Sequence, residues 1–137
     1  MLKAKDIMTQ SVFSVKSNAP IHKAMEMLVE HNISGIPVVD EDITLVGIIS
    51  EKDILRSYAA DLSDLINKPV SDFMTQPAIF FEENECILDV CQCLASHDFR
   101  RVPVTSSGKL TGIISRRDII KRMLKAAHTH TQSAKDS

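Results

Sequence analysis

The chain has 137 residues, of which 44% are hydrophobic and 25% charged, with a formal net charge of −2. That is enough for one ordinary domain or two small ones sharing a core. The lack of a basic excess argues against a nucleic-acid-binding protein. Aromatic residues make up only 4% and Trp is absent, so Ile, Val, Leu and Met must fill the interior. Met1–Asp6 lacks the apolar run of a signal peptide. No uncharged apolar stretch approaches the ~18 residues that span a bilayer. The expectation is a cytoplasmic protein with no membrane insertion.

An internal repeat organises the chain, a signal that has to be sought before any other. Asp6-Ile7-Met8-Thr9-Gln10 recurs as Asp72-Phe73-Met74-Thr75-Gln76. At the same spacing Asn18 meets Asn84, His31 meets His97, and Ile36-Pro37-Val38 meets Val102-Pro103-Val104. After one residue is lost in a turn, Gly47-Ile48-Ile49-Ser50 meets Gly112-Ile113-Ile114-Ser115, and Asp53-Ile54 meets Asp118-Ile119. The division expected is a first repeat over 1–58, a linker over 59–69, a second repeat over 70–124, and a polar, disordered tail over 125–137.

The elements predicted in chain order are the same in each copy. A short strand covers Val12–Val15 and Ile79–Phe81. A helix follows, with Asn18 and Asn84 as expected N-caps and Pro20 in the first turn. Its apolar positions are Ile21, Ala24, Met25 and Leu28 in one copy and Ile87, Val90, Cys91 and Leu94 in the other. Both follow the i, i+3, i+4, i+7 spacing of one amphipathic stripe. Ile36–Val39 and Leu45–Ile49 flank a polar turn and read as a hairpin, as do Val102–Thr105 and Leu110–Ile114. A second helix opens near Ser50 and Ser115. The fold class is α/β (α+β), with the order β-α-β-β-α run twice.

Cys86, Cys91 and Cys93 are odd in number and clustered, which makes no disulfide framework. They read as free thiols, with a metal site as the alternative. His31 and His97 close equivalent helices, where a cationic residue suits the dipole. Met8 and Met74 read as packing residues. There is no supported Ser-His-Asp arrangement, no spaced Cys/His set and no phosphate loop, and only four Gly are present. A catalytic constellation is therefore not expected, and no cofactor is required.

The Asp-Ile-Met-Thr start, the apolar-Pro-Val strand and the twice-repeated Gly-Ile-Ile-Ser-x-x-Asp resemble the CBS domain, named after cystathionine β-synthase. The resemblance covers almost everything except the tail. It implies two repeats packed through small sheets about a pseudo-twofold axis, as a Bateman module. It further implies a regulatory module that senses energy or metabolite levels by binding AMP, ADP, ATP or an S-adenosylmethionine-like ligand. Such a module signals by conformational or oligomeric change. A homodimer and an effector protein are the implied partners. The alternative is a ligand-free interaction module. Carried over residue by residue, one cleft would use Ser50, Lys52 and Asp53 with Arg100, Arg101 and Val102. The other would use Ser115, Arg116, Arg117 and Asp118 with Ser34, Gly35 and Ile36. Ala19 and Glu85-Cys86 depart from the Thr that the family often has before the first helix.

The residues themselves support two readings of Ser50-x-x-Asp53 and Ser115-x-x-Asp118. One is a capping box that closes orphan N–H groups. The other is a ligand site, since a helix N-terminus favours phosphate and a carboxylate accepts hydrogen bonds from a vicinal diol. Arg100-Arg101 and Arg116-Arg117 read either as a solvated face or as paired donors to an anion.

Overall fold

The computed structural model describes residues 1–60 and 65–136, with side-chain surroundings given up to residue 130. Of the expected linker, residues 61–64 lie outside the described residues, as does Ser137 in the tail. Each repeat forms a three-stranded sheet with a helix on either side of its hairpin. In the first, β1 (Val15–Lys16) pairs in parallel with β2 (Gly35–Val39), which pairs antiparallel with β3 (Leu45–Ser50). In the second, β4 (Phe81–Glu82), β5 (Arg101–Ser106) and β6 (Lys109–Ser115) do the same. The helices are α1 (Ala4–Ile7), α2 (Ile21–His31), α3 (Glu51–Ala60), α4 (Ile87–Ser96) and α5 (Arg116–Asp136). A 3-10 turn covers Val70–Asp72.

Two differences from the sequence expectation have clear causes. The first helix of each repeat opens two residues later than expected, with Pro20 and Cys86 at the N-caps in place of Asn18 and Asn84. Pro20 is extended, at φ −66° and ψ 145°, so the helical turn starts only after it. Asn18 instead donates to Glu41 Oε1 at 3.4 Å. The polar C-terminal stretch continues α5 to Asp136 rather than standing apart as a tail. Lys125-Ala126-Ala127 are strong helix formers, and no Gly or Pro interrupts the run.

The starts of the repeats are exchanged. Ile21 donates its backbone N–H to Lys68 O at 2.7 Å, and His22 donates to Ile66 O at 3.3 Å. In the dyad-related place, Ile87 donates to Leu2 O at 3.0 Å, and Ala4 to Glu85 O at 2.9 Å. The segment that opens one repeat thus satisfies the orphan N–H groups of the other repeat's helix. The cores follow the same rule. Val70, Phe73 and Met74 pack with Ile21, Ala24, Leu28, Ile36, Val38 and Ile49. Ala4, Ile7 and Met8 pack with Ile87, Val90, Leu94, Val102, Val104 and Ile114.

The glycine of each Gly-Ile-Ile-Ser motif makes room for this exchange. A Cβ on Gly47 would lie 2.9 Å from both Met74 Sδ and Thr75 O. A Cβ on Gly112 would collide with Met8. Backbone bonds then stitch the crossing: Ile48 with Thr75 at 3.0 and 2.8 Å, and Ile113 with Thr9 at 3.0 and 2.8 Å. The hairpin turns clasp each other near the dyad, with Leu45 donating to Gly108 O and Leu110 to Ile43 O, both at 3.0 Å. These reciprocal bonds are the pseudo-twofold relation expressed in the backbone, and they place the two Ser–Asp corners on its two sides.

Candidate functional site

The N-terminus of α3 holds the more elaborate of the two corners. Ser50 N–H donates to Asp53 Oδ2 at 2.9 Å, and Asp53 N–H donates back to Ser50 Oγ at 3.2 Å. That is the reciprocal capping box. Ser50 Oγ also donates to Asp53 Oδ2 at 2.8 Å. Thr75 Oγ1, arriving from the second repeat's start, donates to Asp53 Oδ1 at 3.0 Å. Arg56 Nη1 lies 3.8 Å from the same oxygen. Asp53 is buried, with 8% of its surface exposed. A carboxylate offers about four lone-pair sites, and Asp53 uses three of them for Ser50 N–H, Ser50 Oγ and Thr75 Oγ1.

A cleft of about 560 Å³ opens beside this corner, within the range of small-molecule sites. Its floor is apolar: Ile36, Pro37, Ile48, Pro77, Ala78, Ile79, Pro103 and Ile113. Its rim carries Lys52, Arg100 and Arg101 against Glu51 and Asp98. Lys52 Nζ stands 3.9 Å from Asp98 Oδ2, an exposed pair worth little in stability. His97 and Phe99 stack nearby, ring centroids 4.8 Å apart. An apolar slot with cations at its mouth and a carboxylate at one end suits a flat, anionic, hydroxyl-bearing molecule.

The cleft brings together Ser50, Lys52, Asp53, Arg100 and Arg101, and with them Ser34, Gly35 and Ile36. The last three were expected at the opposite corner. They stand here because Gly35 is the cross-strand partner of Ser50, so each corner borders its own repeat's proline strand. Val102 does not line the cleft. Its side chain is 1% exposed and belongs to the second core, because alternate strand residues face opposite sides.

Ser115, Arg116, Arg117 and Asp118 lie at the dyad-related corner. Ser115 N–H donates to Asp118 Oδ2 at 2.9 Å, and Asp118 N–H to Ser115 Oγ at 3.0 Å. Arg116 is diverted: its Nε donates to Leu94 O at 3.2 Å and its Nη2 to His97 O at 2.6 Å. It closes the carbonyl end of α4 rather than facing a cleft. Arg117 stays exposed.

Sequence reasoning passed over Thr75, Asp98, Phe99 and Ile79. Thr75 had a usable signal, its place in the repeated Asp-x-Met-Thr-Gln. The others sit in loops that only the assembled dyad brings to the cleft. Among the described residues, no cluster of three or more His, Cys, Asp or Glu is placed to hold a metal ion. Also among the described residues, no helix is long and apolar enough to cross a membrane.

Comparison with known proteins gives this geometry a family. The chain spans 41% of the length of MJ1225 from Methanocaldococcus jannaschii, with 33% identity over 85% of this chain. Among solved structures, CBSX2 of Arabidopsis thaliana in complex with AMP matches with a TM-score of 0.80 and 33% identity, covering 93% of this chain and 99% of that one. The CBS domain pair of MJ0100, in complex with 5-methylthioadenosine and S-adenosyl-L-methionine, matches with a TM-score of 0.73 and 30% identity, over 93% of this chain and 98% of the other. Its mixed sheets and helices follow the architecture of those pairs. The CBS domain model matches residues 4–60 and again residues 70–125, and the chain therefore belongs to the CBS-domain family, carrying two such domains in tandem.

Proposed function

We propose that this CBS pair is a non-catalytic regulatory module that binds an adenosine-type ligand in the Ser50–Asp53 cleft. The single observation carrying this reading is the Asp53 carboxylate at the edge of an apolar slot, with Oδ1 accepting a hydrogen bond from Thr75. A ribose hydroxyl donates to that carboxylate. The purine lies between Ile48, Pro77 and Ile79. Phosphate or another anionic group meets Lys52, Arg100, Arg101 and the N–H groups at the start of α3. The AMP-bound and S-adenosylmethionine-bound relatives support the ligand class. Binding signals by biasing the arrangement of the two repeats, which requires different affinity for different arrangements.

The test is isothermal titration with AMP, ATP and S-adenosylmethionine on the wild-type protein and Asp53→Ala. A loss of about 1–3 kcal/mol is expected in the variant, from removed hydrogen bonds to a charged acceptor. Unchanged affinity in Asp53→Ala would remove the ribose assignment. A distinct observation favours an assembly role beside ligand binding. Leu55 and Tyr58 on α3 are 64% and 56% exposed, and Ile120, Met123 and Leu124 on α5 are 61%, 65% and 53% exposed. We assign these exposed apolar side chains of α3 and α5 to a homodimer contact. Light scattering of Leu55→Glu and Ile120→Glu variants is expected to read a monomer.

A further inference from the structure

The two Ser–Asp corners share one motif but not the same surroundings. The internal offset puts Phe13 where the open cleft has Ile79, and His31 where it has His97. In the open cleft His97 is drawn aside onto Phe99, with rings 4.8 Å apart. The counterpart of Phe99 is Ile33, which has no ring to hold His31. His31 instead stacks on Phe13, with centroids 3.8 Å apart and planes inclined by 16°. Phe13 is large enough to reach it, where Ile79 is not aromatic and offers no such partner.

Two more differences run the same way. Arg116 is tied to the carbonyls of Leu94 and His97. Thr9, the counterpart of Thr75, pairs through its backbone with Ile113, and no side-chain bond joins it to Asp118.

We infer that the Phe13–His31 stack spans the Ser115–Asp118 corner and closes it, so that each chain takes one adenosine-type ligand rather than two. Phe13 is the residue that sets this stoichiometry. The inference rests on the reading of the Ser50–Asp53 cleft as the nucleoside site. A ligand entering the second corner must first displace the stack, so its apparent affinity there falls by the fraction of chains that are open.

The experiment is isothermal titration with AMP on the wild type, Phe13→Ile, His31→Ala and Asp53→Ala. Phe13→Ile copies the residue of the open cleft, and His31→Ala removes the other half of the stack. Phe13 is 48% exposed and His31 is exposed, so neither change should unfold the chain, which circular dichroism checks. One equivalent is expected for the wild type and two for both stack variants. In the ligand-free protein, the His31 ring protons should be shifted upfield by Phe13 in proton NMR, and that shift should vanish in Phe13→Ile. Two equivalents bound by the wild type, or one equivalent retained by both stack variants, would overturn closure and leave the cleft reading intact. A wild type that binds one equivalent undiminished by Asp53→Ala would overturn the cleft reading instead. No binding by any form would overturn both.

Discussion

The bond from Thr75 to Asp53 allows a stability experiment with an internal control. Both corners have a capping box, so Asp53→Ala and Asp118→Ala each lose about 1 kcal/mol of helix-start stabilisation. Only the first corner adds a side-chain donor from the opposite repeat, Thr75 Oγ1 at 3.0 Å from Asp53 Oδ1. A hydrogen bond to a charged group contributes about 1.5–3 kcal/mol. Thr75 is exposed, and water competes for it, which places the net value near the low end, at about 1–1.5 kcal/mol. The measurement is a pair of double-mutant cycles by urea unfolding, followed by circular dichroism and by the fluorescence of the single Tyr, Tyr58. Asp53→Ala with Thr75→Val should show coupling of about 1–1.5 kcal/mol. Asp118→Ala with Thr9→Val should be additive to within about 0.3–0.5 kcal/mol. Equal coupling in the two cycles, or additivity in both, would refute the argument that the corners differ through this bond.

Three further outcomes follow from particular contacts. Thr105 is fully buried, and its Oγ1 has no hydrogen-bond partner, whereas its counterpart in the first repeat is Val39. Thr105→Val should therefore stabilise the protein by about 1 kcal/mol or more in urea unfolding; a loss of stability would contradict the orphaned hydroxyl. Gly112→Ala and Gly47→Ala should each cost about 1–3 kcal/mol through overpacking. Met8→Ala should rescue Gly112→Ala, while Met74→Ala should only partly rescue Gly47→Ala, because the Thr75 carbonyl also blocks that Cβ; full rescue of both would be the contrary result. Burial pushes the Cys93 thiol up from its ordinary value, so the folded state favours the protonated form. The associated stability is present below the unfolded thiol's pKa and is lost as pH rises through the higher folded value. Unfolding free energy should fall less steeply above about pH 8.5 in Cys93→Ser than in the wild type, and parallel curves would count against it.

Much of the fold was legible from the sequence because its signals are local. The strand–helix–hairpin–helix order follows from apolar periodicities that span one element each. The Ser-x-x-Asp boxes close within a single helical turn, and they appear in the structure at both corners. The family was legible for another reason: three weak motifs recur in register, and each copy corroborates the other.

What the sequence left open is what a repeat makes ambiguous. Two similar copies offer every docking segment two similar receptors, and spacing along the chain does not say whether a segment packs on its own repeat or its twin. The folded molecule settles this by carrying residues 1–8 to the second core and residues 70–75 to the first. At the helix starts, which lie at Pro20 and Cys86 rather than Asn18 and Asn84, the first N–H groups of Ile21 and Ile87 reach the distant carbonyls of Lys68 and Leu2, and Cys86 Sγ accepts from Leu88 N–H. The exchange also delivered Thr75 to Asp53, while pairing of β2 with β3 set Ser34–Ile36 beside Ser50 and strand alternation turned Val102 into the core. Partners a few residues apart are written in the order of the chain, whereas partners that meet across the dyad are chosen only when both cores close.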